Sequence, residues 1–164
     1  MQVFNMDKMN ILYCFDNKSW RMAAVSMESL LLSQNPTIPM TIYCMVMPGT
    51  KHHGKFRKII KSHKTNVELV WREINQNENP FGGIEFSKWE PTRFYRCISH
   101  RFFKDVDKIL FLNNNTLVFR DLFYGLYNTD ISDYAFAAVQ DMSPINADTS
   151  ANGKYVKEFS AKYL

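Results

Sequence analysis

The sequence predicts an α/β protein whose mostly parallel sheet is flanked by helices, and two observations carry that prediction. Short apolar runs recur at 10–15 (NILYCF), nearly continuous rather than alternating as a strand buried on both faces requires, and at 40–47 (MTIYCMVM), a second buried strand; a third strand is expected at 67–70. Stretches of helical period separate them, and strand, helix, strand, helix, strand is the order of parallel strands joined by crossovers.

The first run stops at Asp16-Asn17. Ala23, Met27, Leu30 and Leu31 follow at offsets of one helix face. The second run ends at Pro48-Gly49, a turn signal. Residues 51–64 form an amphipathic helix, with Phe56, Ile59, Ile60 and His63 on one side and Lys55, Lys58 and Lys61 pointing elsewhere. The third run follows at 67–70. Residues 72–88 are polar, contain Asn79-Pro80 and Gly82-Gly83, and read as a long loop of the kind that carries function. A helix is expected at 91–103, with Pro91 in its first turn and Tyr95, Ile98 and Phe102 on one side. A fourth strand is expected at 108–112, extended chain at 116–119, and a short helix opened by Asp121 and running to Tyr127. A fifth strand is expected at 134–139. Residues 154–164 have a weak helical pattern with no strand after it, so the domain is expected to be truncated at its C-terminus, with apolar surface left exposed.

The 164 residues fit one domain, 1–164, with 46% hydrophobic and 22% charged residues, as in soluble globular chains. A net charge of +4 is modest; it suits a solvated surface with one basic face and leaves no nucleic-acid footprint. Weak attraction to phosphorylated ligands or anionic lipid is compatible with it. The three cysteines, Cys14, Cys44 and Cys97, are widely spaced in apolar runs and read as buried free thiols of a reducing compartment. No run reaches the ~20 apolar residues of a spanning helix, and residues 1–8 lack a signal-peptide core. A cytoplasmic protein is expected, or one held peripherally on the inner face of a membrane.

Ligands of open α/β sheets bind beyond the carboxyl ends of the strands. Asp16-Asn17, Asn113 to Asn115 and Gln140-Asp141 all follow apolar runs and fall on that one predicted edge. Polar residues at strand ends also serve as ordinary turn formers. No Gly-x-Gly-x-x-Gly, phosphate-binding P-loop or nucleophile elbow is present, which weakens a dinucleotide-binding reading. The adjacent His52-His53 pair would diverge in regular structure and makes a poor metal site.

The runs NILYCFDNKSW, AAVSMESLL, the Phe-Tyr-Arg of the expected helix, DKILFLNNNTLVFRDLFYGLYNTD and YAFAAVQD, in that order and spacing, resemble glycosyltransferase family 8. That family includes the lipopolysaccharide galactosyl- and glucosyltransferases and glycogenin. The resemblance spans about residues 9–145, and the block 107–130 is its most specific part. It implies a GT-A fold, a Rossmann-like sheet that binds a nucleotide-diphosphate sugar, in most members a UDP-sugar with Mn²⁺ or Mg²⁺. It further implies retaining transfer of a hexose to a glycan, lipopolysaccharide-type or other lipid-linked saccharide acceptor. By position, the backbone of Cys14 and Phe15 and the carboxylate of Asp16 fall near the uracil. Asn17 or Lys18 falls on a further nucleoside contact, and Asn114 on the nucleotide sugar. Arg96 matches the arginine of the helix before the metal motif, where its fork of donors suits a phosphate or a carboxylate. Asp141 falls near the sugar and acceptor.

Asn113 and Asn115 stand where the family has the two aspartates of an Asp-x-Asp metal motif. A divalent cation bridging a diphosphate wants hard anionic oxygens, and two amides remove two negative charges. Either the asparagines shape the site while metal affinity falls, or the site works without metal, or they form an ordinary turn. A histidine that completes the family's metal site would lie beyond Leu164. The expected cofactor, Mn²⁺ or Mg²⁺, is therefore weakened or lost. The alternative function is a catalytically impaired or inactive nucleotide-sugar-binding fragment.

Overall fold

β1 (Met9–Phe15) is buried at every position except Asn10. In the structure, a computed structural model, residues 8–63, 65–81 and 91–139 are described. β2 (Met40–Val46) pairs in parallel with β1 along its whole length, Met9 opposite Met40 and Phe15 opposite Val46. β3 (Val67–Glu73) continues in parallel beyond β2, three residues longer than the apolar run predicts. β4 (Leu110–Phe111) lies on the other side of β1, so the order is β3-β2-β1-β4. The parallel sheet and the α/β class are as expected.

Alternation along β1 builds two cores. Met9, Ile11, Tyr13 and Phe15 face one side, where α1 (Trp20–Ser33) contributes Ala23, Met27, Leu30 and Leu31 and α2 (His53–Ser62) contributes Phe56. Phe15 stacks on Phe56 at 5.0 Å between ring centroids and meets the edge of Trp71 at 5.6 Å. Leu12 and Cys14 face the other side, onto Tyr95 and Ile98. The chain at Pro91–Arg101 is a 3₁₀ helix. Its period of three residues turns Thr92, Tyr95 and Ile98 inward together. Cys97 is thereby turned out and exposed, against the expectation of three buried thiols; Cys14 and Cys44 are buried.

The fourth expected strand falls short. The segment expected at 108–112 pairs only at Leu110 and Phe111, with one further bond from Leu112 N to the Leu12 carbonyl at 3.0 Å. Residues 116–119 are extended, but α1 side chains stand in for a neighbouring strand. Val118 N donates to Ser29 Oγ at 3.0 Å, and Ser33 Oγ donates to the Val118 carbonyl at 2.7 Å. Gln34 continues this, donating to the Arg120 carbonyl at 3.1 Å and accepting from Leu122 N at 2.7 Å. Asp121 then accepts from Phe123 N at 2.9 Å and opens a single wide helical turn, Phe123–Tyr127. Tyr127 Oη reaches the carbonyls of Lys8 and Lys108 and accepts from Asn10, tying that turn to the starts of β1 and β4.

The chain divides into two compact units, Met1–Thr129 and Asp130–Leu164. In the second, residues 134–139 form no ladder, and Tyr134, Phe136 and Val139 are exposed, so the expected fifth strand is not found there. An apolar run records what could be buried; a strand also needs a partner for its backbone. The helical pattern at 154–164 lies outside the described residues. No helix among the described residues is long and apolar enough to cross a membrane.

Candidate functional site

The carboxyl ends of β1, β2 and β3 are laced by short polar contacts. After Phe15 the chain turns at Asp16, whose Oδ1 accepts from Lys18 N at 2.9 Å, Ser19 N at 2.9 Å and Ser19 Oγ at 2.8 Å. That turn starts α1. Asp16 Oδ2 takes no hydrogen bond among the described residues, so one face of the carboxylate stays available. Asn17 reaches across to the loop after β2, donating to the Gly49 carbonyl at 3.2 Å and accepting from Lys51 N at 2.9 Å. Gly49 holds φ +73, a left-handed turn that glycine adopts without strain, and its N–H donates to Glu73 at the end of β3 at 3.2 Å.

The side chains of Cys14 and Phe15 point into opposite cores and only their backbones are at the edge. Burial pushes the Cys14 thiol well up, and the nearby Arg96 guanidinium offsets this only in part, so Cys14 is a neutral packing group. Arg96 itself is exposed on the 3₁₀ helix with its guanidinium 5.0 Å from the centroid of Phe111, the last residue of β4. The end of β1, the 3₁₀ helix and the end of β4 thus meet at Cys14, Arg96 and Phe111.

Two residues past β4, Asn113 to Thr116 form a β-turn, closed by Thr116 N donating to the Asn113 carbonyl at 3.0 Å. Asn113 and Asn115 are exposed and Asn114 half-buried. Asn114, Asn115, Thr116 and Leu117 form one wall of a cleft of about 320 Å³; Arg21, Met22 and Val25 of α1 form the other. The asparagines therefore face the first turns of the helix that Asp16 starts. Asp141 lies outside the described residues.

The donor set does not fit a diphosphate-bridging metal. Asn113 and Asn115 offer neutral amide oxygens, and among the described residues no three His, Cys, Asp or Glu side chains are grouped to hold an ion. The two adjacent histidines diverge: His53 stacks on Trp71 at 4.8 Å and His52 on Trp20 at 4.0 Å.

Sequence reasoning missed a cluster beside this edge. Lys55 Nζ lies 4.5 Å and Arg21 Cζ 5.1 Å from the Trp20 ring centroid. His52 has φ +77, and burial first, then Lys55, Arg21 and Lys51, hold its ring pKa below the usual value. The Trp20-Arg21 pair directly after the first strand's turn was a visible signal; the left-handed His52 that brings Lys51 and Lys55 to it was not.

Residues 10–163 match the family described as Glycosyl transferase family 8. No curated protein matches the chain. Among solved structures, an active-site mutant of LgtC is similar over 86% of this chain and 49% of its own, at 17% identity and a TM-score of 0.67. The apo structure of the bifunctional glycosyltransferase WbbM is similar over 88% of this chain and 25% of its own, with 16% identity and a TM-score of 0.65. Mouse xyloside xylosyltransferase 1 in its apo form is similar over 93% of this chain and 59% of its own, with 12% identity and a TM-score of 0.62. These likenesses carry the GT-A fold. The chain spans about half of the LgtC chain and a quarter of the WbbM chain.

Proposed function

We propose that this chain, which belongs to glycosyl transferase family 8, binds a nucleotide-diphosphate sugar at the carboxyl edge of β1 and β4 and takes part in hexosyl transfer to a glycan or lipid-linked acceptor. The observation that carries this reading is the convergence, at one edge, of the Asp16 turn, Arg96 beside Phe111 and the exposed Asn113–Thr116 turn. Asp16 Oδ2 has the lone pairs to accept an N–H of the uracil, while Oδ1 remains committed to the chain. Backbone groups at the ends of Cys14 and Phe15 would fix the base beside it. Asn17 is spent on the Gly49–Lys51 loop, so Lys18, exposed one residue on, is the better candidate for the further nucleoside contact. Arg96, exposed and planar, can pair with the diphosphate, and Asn114 on the cleft wall with the ribose or sugar. Asp141 keeps its place as the sugar and acceptor residue of this proposal.

Metal would supply charge neutralisation on the leaving diphosphate. Asn113 and Asn115 present neutral oxygens there, which supports nucleotide binding with little dependence on Mn²⁺ or Mg²⁺. The same observation favours a second reading, a nucleotide-sugar-binding module that is catalytically impaired or inactive. Cytoplasmic or inner-membrane-face residence belongs to the same proposal, and so does lipopolysaccharide synthesis as its setting.

Calorimetric titration of the chain with UDP and UDP-hexoses, with and without Mn²⁺, tests this. Weak binding that Mn²⁺ changes less than about threefold is expected. Strong Mn²⁺ dependence would contradict the assignment of the asparagines, and absence of nucleotide binding in both conditions would remove the site. Radiolabelled or coupled UDP-release turnover with saccharide acceptors then separates the transferase from the binding module.

A further inference from the structure

The first turns of α1, which form the wall of the cleft opposite Asn114, also carry a group of cations around an indole. Trp20 is half-buried, with Arg21 and Lys55 over its ring and His52 stacked on it. Arg21, Lys51 and Lys55 are exposed, and none forms an ion pair among the described residues, where the pairs are Lys8–Glu68, His63–Glu28 and Arg72–Glu78. Three uncompensated cations this close repel one another, and all three bear on His52.

Directly beside them is exposed apolar surface. Met22 and Val25 stand 48% and 58% exposed on α1, and Leu117 stands 50% exposed across the cleft they share with Arg21. In the extended segment 116–119, Val118 turns inward while Leu117 and Phe119 share the outer face, with Phe119 82% exposed. Large apolar side chains grouped on one face mark a contact site. Here the cations sit next to them, with an indole between the two.

We propose that this face of the Met1–Thr129 unit, with Arg21, Lys51 and Lys55 flanking Trp20 and with Met22, Val25, Leu117 and Phe119 beside them, docks on an anionic lipid bilayer. Charge complementarity selects the occupant. A soluble anion would satisfy the cations but leave the apolar side chains in water, and an apolar protein surface would leave the cations unpaired. A bilayer interface offers headgroup phosphates and acyl chains at adjacent depths, with the indole suited to the boundary. This docking rests on the inner-membrane-face residence proposed above and names the face that carries it. A lipid-linked acceptor would meet the proposed nucleotide edge from this side. Vesicle binding is read separately from UDP titration, so that either can fail while the other stands.

The test is co-sedimentation of the full chain with vesicles of phosphatidylcholine alone and of phosphatidylcholine with phosphatidylglycerol. Binding is expected only to the anionic vesicles, falling steeply toward about 0.5 M salt. Lys51→Glu with Lys55→Glu should lower partitioning about tenfold or more, and Phe119→Ser several-fold, with the thermal midpoint of each variant measured beside it. Brominated acyl chains should quench tryptophan emission, and Trp20→Phe should remove that quenching, a readout that survives even if a charge variant folds poorly. Equal binding to both vesicle types, binding indifferent to all these substitutions, or none at all would overturn the proposal. So would light scattering showing a dimer that Phe119→Ser dissolves, since a second copy would then own the face.

Discussion

The turn after β1 and the turn after β4 are both short polar segments at the carboxyl edge of one sheet, yet they are built differently. Asp16 to Ser19 is held by three hydrogen bonds to one carboxylate oxygen, and Asn17 ties it to the loop after β2. Asn113 to Thr116 is closed by one backbone bond, with Asn113 and Asn115 exposed. The first is framework with a single carboxylate oxygen to spare. The second puts Asn113 and Asn115 on the surface, and what it does there depends on the chemistry of its side chains. Substitutions should therefore divide cleanly: those after β1 should cost stability, those after β4 should change binding.

The largest expected loss lies just under the first turn. Phe15→Ala empties the space between Phe56 and Trp71 and should destabilise by about 3–5 kcal/mol in urea titration. Asp16→Ala comes next. It strips the acceptor of three donors at the start of α1, and a loss of about 1–2 kcal/mol is expected. Asp16→Asn, which keeps an oxygen acceptor, should recover more than half of that. By contrast Asn113→Ala and Asn115→Ala should stay within about 0.5 kcal/mol of the parent. A loss after β4 as large as that of Asp16→Ala would break the comparison.

Asn17→Ala should cost about 1 kcal/mol and speed amide exchange at Lys51, whose N–H it now receives. The smallest effect is a pH dependence. His52 and His53 both have ring pKa values held below the usual 6.5, by burial first and by neighbouring cations second. A depressed histidine binds its proton more tightly in the unfolded chain, so stability is intact above about pH 6.5 and declines as the pH falls below it. The thermal midpoint should drop slightly from pH 7 to 5.5, and His53→Phe should flatten that drop; a midpoint rising over this range would contradict it.

Much of this was legible in the amino-acid order. Continuous apolar runs marked β1 and β2, because a strand covered on both faces has no polar side to show. β3 is half-buried, with Glu68 and Glu73 exposed, and only its first four residues stood out. The same logic misread 134–139, since exposed apolar residues look identical in sequence to buried ones. It overextended β4, which pairs only at Leu110 and Phe111, and it gave no sign that Ser29 and Ser33 of α1 and Gln34 after it would serve the backbone at 118–122. Strand-end polar residues located the edge, but not their roles. Asn17 reads as a nucleoside contact, and its bracing of Gly49 and Lys51 was not legible before the fold. The cations around Trp20 come from two helices and the loop before α2, and only the fold, with His52 left-handed, brings them together.

In the function proposed above, the Asn113–Thr116 turn stands where a diphosphate and its metal would lie, with amides in place of carboxylates. Titrating UDP into the Asn113→Asp, Asn115→Asp double variant, with and without Mn²⁺, tests it most directly. Two restored carboxylates should make nucleotide binding at least about tenfold tighter when Mn²⁺ is present, with little change in its absence. Binding that stays the same in the variant and the parent, with or without Mn²⁺, would mean that the turn does not face the nucleotide.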